Sequence, residues 1–536
     1  MVSHKSEQAL PEKFGSEDSF DVIVIGGALS GASAAYLLKR EHPDKRILII
    51  ERSEQFSRRV GEATVEISSY FLTRVLGLTE YLNHEHLSKQ GLRFWFYQQS
   101  DDAADGISEL GPGYNVRFPS YQVDRAKLDE EVLRRAEASG VTVYRPAVVK
   151  SVDWTPGGQS TVEFEQDSQR RVASARWVID ASGVARLMAR SRKWVIANDA
   201  HPIASIWSRW RGIDCIDGLE FRAEHPNIAG RCVGTRFTAT NHLIGYGWWS
   251  WWIPLQGRDM SVGIVWDERF TQVAAGDSLA DRLRNHLEQH PLGKRLLAGA
   301  EMVEDDLHYR KHLAWHSERM AGDGLCLVGD AAAFMDPFYS PGMDWISFGV
   351  SASVRLIRRD WEGEAGIAEH AEQLNRDLKE SYLRWFEAIY RDKYRYMGDF
   401  DLMKLAFRLD LGLYYYGVVS QPYKHGEQGL LQPPFTGPHT EIPYRIIRFY
   451  NRRLARIAEA RRRRGVWGKN NFGQNFSFNS YRMDWTLPIR LLGAGASYLK
   501  LELTEGWRSW FRSPEAVPDP QVVAASAKAK LPVGSG

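Results

Sequence analysis

The stretch that most constrains this chain runs from Asp21 to Glu51, DVIVIGGALSGASAAYLLKREHPDKRILIIE. Asp21 to Ile25 is a β-branched run, Gly26 to Gly31 sets glycines at a turn, Ala32 to Arg40 has helical composition, and Arg46 to Ile50 is a second apolar strand that ends in Glu51. This is the pattern of a βαβ unit. Gly26 permits a tight turn, the turn opens a helix N-terminus toward a pyrophosphate, and Gly31 lets helix and strand pack closely. Glu51 lies 20 residues beyond Gly31, the usual offset for a carboxylate that accepts from a ribose hydroxyl. The middle glycine of the fingerprint is replaced by Ala28, so a pyrophosphate would pass a methyl group, with Gly27 taking part of the missing role. The alternative is a glycine-rich crossover that binds no phosphate.

A chain of 536 residues is long enough for two or three domains and a large core. Its net charge of +2 gives no global field that would favour nucleic acid. Cys215, Cys232 and Cys326 are far apart and form no CxxC pair, which argues against a disulfide framework or a zinc site and fits a reducing cytoplasm. The polar N-terminal residues lack the apolar core of a signal peptide, and the most apolar window is the punctuated βαβ unit itself, too short for a membrane span. No metal site is expected, and the oligomeric state is not readable.

Taken in order, residues 1–19 read as disordered. A helix after Gly61-Glu62-Ala63 carries Ile67, Phe71, Val75 and Leu76 on one face, Leu87 to Gln98 alternates like a strand, and Tyr121 to Gly140 reads as a short strand followed by a helix. WVIDASG returns the chain to the nucleotide domain at Asp180, and Gly324 to Ser353 runs from strand to helix and does so again. The fold class is therefore α/β. A Rossmann-like domain comprises 20–200 and 305–355, an antiparallel substrate sheet takes in 88–120 and 200–305, a helical C-terminal region spans 356–512, and a disordered tail covers 513–536.

GGALSG near the start, Trp249-Ser250-Trp251-Trp252-Ile253-Pro254 in the middle, and Gly329-Asp330 with Asp336-Pro337 later resemble the flavin-dependent halogenases, within the wider fold of the aromatic hydroxylases. The WxWxIP string matches letter for letter, and the resemblance covers roughly residues 20 to 355. It implies an enzyme that uses reduced FAD, oxygen and chloride or bromide to halogenate an electron-rich aromatic substrate, free or carrier-bound, through hypohalous acid handled by a lysine. No second nucleotide fingerprint is present, so a separate flavin reductase is expected to supply the reduced cofactor. The rival readings are a monooxygenase or reductase of the same fold that uses no halide, and a non-catalytic flavin-bearing or carrier-binding protein.

The same resemblance assigns roles. Lys89 is the positional match for the lysine, with an ordinary surface lysine as the alternative. Gly26, Gly27, Ala28, Gly31, Glu51, Arg52, Arg125, Asp180, Gly329, Asp330 and Gly342 would hold FAD. For Arg125 the competing reading is a salt bridge to Asp124 or Asp129, and for Asp180 a turn aspartate accepting backbone amides. Trp249, Trp251, Trp252 and Pro254, with Tyr339 and Ser340, would wall the passage between flavin and substrate, unless the tryptophans are core packing on a sheet. Tyr339 stands where the tryptophan-specific branch has a glutamate, which points away from free tryptophan and leaves the acid partner of the lysine open; Asp344 is a weaker candidate. The basic run Asn451 to Gly465 is either a docking helix for an acidic carrier or membrane, or a solvated face paired with local acids such as Glu459.

Overall fold

The computed structural model describes residues 19–98 and 106–511. The ends read as disordered, 1–19 and 513–536, lie outside the described residues apart from Ser19, which opens the first strand. Ser19–Ile25, the helix Leu29–Glu41 and Ile47–Ile50 form the βαβ unit. Its strands lie side by side and parallel, and both are buried on both faces, which is why they are continuous β-branched runs rather than alternating ones. Leu325–Leu327, Gln169–Asp180, Ser19–Ile25, Ile47–Ile50 and Thr142–Tyr144 follow one another in a parallel sheet, so three separated stretches of chain end at one edge of the nucleotide cradle.

The second sheet has nine strands, built mainly from the antiparallel neighbours Ile203–Arg211, Met260–Asp267, Trp248–Pro254 and Thr240–Gly245. Alternation along Trp248–Pro254 splits its tryptophans. Trp249 and Trp251 enter the main core, whereas Trp248 and Trp252 enter a smaller core on the opposite face. The stretch read as one strand from Leu87 is broken: Leu87–Ser88 pairs with Tyr121–Gln122, and Leu92–Phe96 joins the large sheet. Lys89 falls in the break, where Gly91 turns with φ +79°.

The C-terminal region is mostly helical, with Ile367–Trp385, Phe400–Tyr414, Pro438–Arg463 and Thr486–Thr504 as its long elements. Two features depart from the sequence reading. The helix Gly342–Trp361 crosses the boundary placed at 355, and Asn475–Ser477 is a strand that extends the large sheet beside Ser108–Gly111. That strand is three residues long and held by distant pairing, so the helical composition around it concealed it. The helices Ile367–Trp385 and Phe400–Tyr414 each run on into a π-helical turn, Phe386–Tyr390 and Tyr415–Val419. Such turns push backbone and side chains out of helical register, commonly at functional sites.

Candidate active site

The nucleotide cradle is built first by its glycines. Gly26 has φ +98°, and a side chain there would meet the Ala181 carbonyl oxygen at 2.5 Å. A Cβ on Gly31 would overlap the Gly26 carbonyl oxygen. Both positions therefore exclude any larger residue. The first turn of Leu29–Glu41 has no acidic residue of its own and no side-chain cap at Ala28; its first amide, that of Leu29, donates to Asp129. Glu51 is buried and accepts from the Gly27 amide at 2.7 Å and the Ser53 amide at 2.8 Å, which ties the glycine turn to the end of the second strand. A carboxylate has about four lone-pair positions, so these two bonds leave acceptor capacity for a hydroxyl. Arg52 beside it is exposed.

The other expected cofactor residues converge on this edge. Asp180 is buried and accepts from the amides of Ser182 at 2.9 Å and Met188 at 2.8 Å, as a turn aspartate does. Arg125 pairs with Asp129 through Nε at 3.1 Å, and Asp129 also accepts from the Leu29 amide at 3.3 Å. The salt bridge considered for Arg125 thus exists, and it braces the helix start. Asp330 follows Gly329 and makes no hydrogen bond among the described residues. Burial raises its pKa, and Arg125, Arg310 and Arg59 pull it down. A half-buried carboxylate that makes no side-chain hydrogen bond and faces cations suits a hydroxyl-bearing, phosphate-bearing ligand such as FAD. Gly342 begins the helix Gly342–Trp361, and nothing lies within 4 Å of where its side chain would be.

A cavity of about 110 Å³ lies next to the loop that joins these parts. Lys89 forms part of its wall and is fully buried, donating from Nζ to the Thr64 carbonyl at 2.8 Å. Burial lowers its pKa to about 8, against the opposing pull of Glu66 and Asp344. A surface lysine is excluded. Asp344 also lines the cavity and accepts from the Ser68 amide at 2.8 Å and the Tyr414 hydroxyl at 2.5 Å. Burial raises its pKa to about 7. Glu66, on the same wall, accepts from the Tyr415 hydroxyl. The rest of the lining is mostly aromatic and aliphatic, including Phe118, Tyr390, Phe407 and Phe478 with Val65, Leu92 and Leu411.

Tyr339 lines the cavity, as does Pro341, whereas Ser340 does not. Tyr339 and Ser340 have φ of +70° and +60°, a left-handed pair that is costly for residues with side chains. The surroundings fix them. The Tyr339 hydroxyl donates to Asp410 at 3.1 Å, and Asp410 is in turn held by buried Lys393 at 2.5 Å, by the Asn451 amide at 3.0 Å and by the Tyr450 hydroxyl.

The signature tryptophans and Pro254 do not line this cavity. Trp249 donates to the Tyr394 hydroxyl at 2.8 Å, Trp251 to Ser261 at 3.1 Å and Trp252 to Ser250 at 2.9 Å. Tyr394 donates onward to Asp336 at 2.9 Å, and Asp336 contacts His201 at 2.6 Å and accepts from the Phe338 amide at 2.8 Å. Trp249 also packs edge-on against Phe338 at 5.2 Å between ring centres, and Phe338 lies 4.4 Å from Tyr339. In this way Trp249 stands one layer behind the wall and steadies the strained loop by a relay of hydrogen bonds and rings.

Sequence reasoning did not find Glu66, Asp410, Lys393 or Tyr394. Asp410 had a usable signal, since it sits in the largely apolar run LDLGLYYY, whereas Lys393 stands among the charges of YRDKYRYM and had none. Of the basic run at 451–465, Leu454, Ile457 and Ala460 are buried, Arg453 pairs with Glu502, and Arg461 pairs with Asp399 and Glu505. Glu459 pairs with Arg395 outside the run. Much of that run serves internal packing. Among the described residues no group of three or more His, Cys, Asp or Glu is arranged to hold a metal ion.

The family model described as tryptophan halogenase matches residues 21–116 and 103–390. The flavin-dependent halogenase chlA of Dictyostelium discoideum is 29% identical over 372 residues, covering 63% of this chain and 60% of that protein. The tryptophan 2-halogenase of Chondromyces crocatus is 27% identical over 387 residues, covering 68% of this chain and 66% of its own length. The chain thus spans less than two thirds of these two relatives. Among solved structures, halogenase PltM in complex with phloroglucinol and FAD superposes with a TM-score of 0.70 at 16% identity, over 90% of this chain and 96% of that one.

Proposed function

The chain belongs to the tryptophan halogenase family, and from that premise we propose that it is an FAD-dependent halogenase of a small, electron-rich phenol or related aromatic. The observation that carries the reading is Lys89, an amine buried in an aromatic cavity with its pKa lowered to about 8. Bound reduced FAD, with oxygen and halide, supplies hypohalous acid. The remaining chemistry belongs to the chain. Gly26, Gly31, Glu51, Asp330 and the start of the helix Leu29–Glu41 would hold the cofactor, and Gly27, Ala28, Arg52, Arg125, Asp180, Gly329 and Gly342 would border it.

At pH 7 roughly a tenth of an amine with this pKa is free base. The free Lys89 Nζ displaces hydroxide from the halogen, giving an N-halogenated lysine and water, and the aromatic carbon then takes the halogen and returns the proton. Asp344, with its pKa near 7, is suited to relay the proton that moves in either step. A dry aromatic lining holds the ring near Lys89 and keeps the oxidant from water. The phenol class draws support from the Tyr414 and Asp344 pair, whose oxygens offer acceptors to a phenol hydroxyl, and from PltM having been solved with phloroglucinol.

The test supplies purified protein with a flavin reductase, NADH, oxygen, bromide and a panel of phenols and indoles, and reads product mass. A bromine mass shift is expected with wild-type protein and not with Lys89→Ala. Hydroxylated product without halogen, or bromination by Lys89→Ala at the wild-type rate, would remove this reading.

A further inference from the structure

The helix Thr486–Thr504 buries one side through Leu487, Ala494 and Tyr498. Its opposite side is also apolar. Trp485, Ile489, Leu492, Leu499 and Leu503 recur at the spacing of a single helical stripe, and Trp485, Leu492 and Leu503 are more than 70% exposed at 77%, 73% and 73%. The neighbouring helix Pro438–Arg463 adds Ile446 and Phe449, and the two helices are joined by Phe449 against Tyr498 and by Arg453 with Glu502. Beyond the helix end Trp507, Trp510 and Phe511 are also exposed, with the Trp510 indole donating back to Glu502 at 2.9 Å. A face of this size in contact with water marks a docking surface.

The charge on this face selects the occupant. The only acid within Thr486–Thr504 is Glu502, which is buried and paired with Arg453. Of the exposed charges of that helix, Lys500 lies beside Leu499 and Leu503 on the apolar stripe, whereas Arg490, three residues from Leu487 and four from Ala494, lies on the flank of the buried side; neither forms an ion pair among the described residues. Arg482 and Arg508 flank it, and Arg452 borders Phe449 on the adjacent helix. The one exposed acid nearby, Asp484, is used to cap the helix start at Thr486. A second copy seated on this face by two-fold symmetry would set these cations against their own images. An anionic lipid surface opposes each of them with negative charge while taking up the leucines and tryptophans.

We infer that this two-helix face docks the protein peripherally on an anionic phospholipid surface. No helix among the described residues is long and apolar enough to cross a membrane, so the contact is interfacial. The helix Pro438–Arg463 turns Ile447 toward the cavity and Ile446 and Phe449 outward, so docking sets the lipid surface one helix away from the cavity lining. This inference stands apart from the halogenase reading, because its test reads binding rather than turnover.

The full-length protein is sedimented with phosphatidylcholine vesicles and with phosphatidylcholine vesicles containing phosphatidylglycerol. Binding is expected to the second and to weaken as salt rises. Lys500→Glu with Arg452→Glu should weaken it by about tenfold or more. Leu492→Gln, Leu499→Gln and Leu503→Gln together should abolish it, with circular dichroism unchanged because all three side chains are exposed. Failure to pellet with phosphatidylglycerol vesicles would overturn the inference. So would equal pelleting of the leucine variant, or a concentration-dependent dimer in sedimentation velocity that the leucine variant loses.

Discussion

The nucleotide cradle and the aromatic cavity lie on either side of the loop Asp336 to Gly342, and they are built on opposite plans. The cradle takes its defining groups from one stretch of chain, Gly26 to Glu51, whose strand, turn, helix and strand assemble locally. The cavity draws its walls from Thr64 to Ser480, so that Lys89, Asp344, Phe407 and Phe478 meet only after the whole chain has folded. Local construction leaves a pattern in the sequence, whereas distant construction leaves single residues whose partners cannot be read. The family model ends at residue 390, yet Phe407, Asp410, Tyr414, Tyr415 and Phe478 beyond it line the cavity. Lys89 and Asp344 therefore lie within the family match, while part of the wall that faces them is built from chain beyond it.

The contrast predicts where single changes will be most destructive. Gly31→Val should have the largest effect, since the new side chain would overlap the Gly26 carbonyl oxygen with backbone on both sides of the clash. Little folded protein is expected in a soluble-expression and calorimetry assay, and what folds should retain no FAD. Folded, FAD-loaded Gly31→Val would break the claim that the cradle is specified by backbone proximity.

Lys89→Met should act in the opposite sense on fold and function. Product formation should fall below detection, while stability at pH 7 should rise by about 2–3 kcal/mol because a buried ammonium is replaced by an apolar chain of similar length. The sign follows from the pKa. Its value of about 8 in the fold lies below 10.5, so the unfolded chain binds the extra proton between these values. The penalty of burying Lys89 is fully present below about pH 8 and fades as pH approaches 10.5, and the stability difference between the two proteins should shrink over that window in denaturant titrations. In the wild-type enzyme the free-amine route predicts a turnover rate that climbs with pH and levels off above about 8. A rate that falls across this range would assign the work to the ammonium as a hydrogen-bond donor.

Much of the cradle was readable because each of its residues answers a local demand. Gly26 needs a positive φ, Gly31 needs close approach, and Glu51 ends a buried strand. Lys89 was readable only through resemblance, since nothing in LSKQGLRFWF distinguishes a buried amine from an exposed one. The WxWxIP string was conspicuous, but its placement was not: the strand period predicts opposite faces for Trp251 and Trp252, without telling which loop Trp249 would reach. Asp336, Tyr394 and Trp249 come together across 145 residues of chain between Trp249 and Tyr394, a separation no local pattern encodes. The strand Asn475–Ser477 was hidden for the same reason.

Tyr394→Phe tests that relay. It leaves the buried Trp249 indole without its acceptor and takes one donor from Asp336, for a loss of about 1–3 kcal/mol by thermal or chemical unfolding. Because His201 and the Phe338 amide still hold Asp336, the fold should survive and the loop should loosen, seen as a larger change in KM than in cofactor retention.

Tyr339→Phe should have the smallest effect and is the most discriminating on the cavity side. It removes only the hydroxyl bond to Asp410, whose carboxylate keeps Lys393, Tyr450 and Asn451, so no buried charge is left unpaired and the cost should be about 0.5–1.5 kcal/mol. The ring still packs 4.4 Å from Phe338 and lies under the Lys393 ammonium at 5.3 Å. What is lost is the tether that holds a residue at φ +70° against its own backbone preference. The loosened ring should blur the position at which halogen enters an unsymmetrical phenol while total turnover stays within a few-fold of wild type. If product distribution and KM are both unchanged, the strained pair Tyr339-Ser340 is held by packing alone, and the polar network behind it supports the fold rather than the placement of substrate.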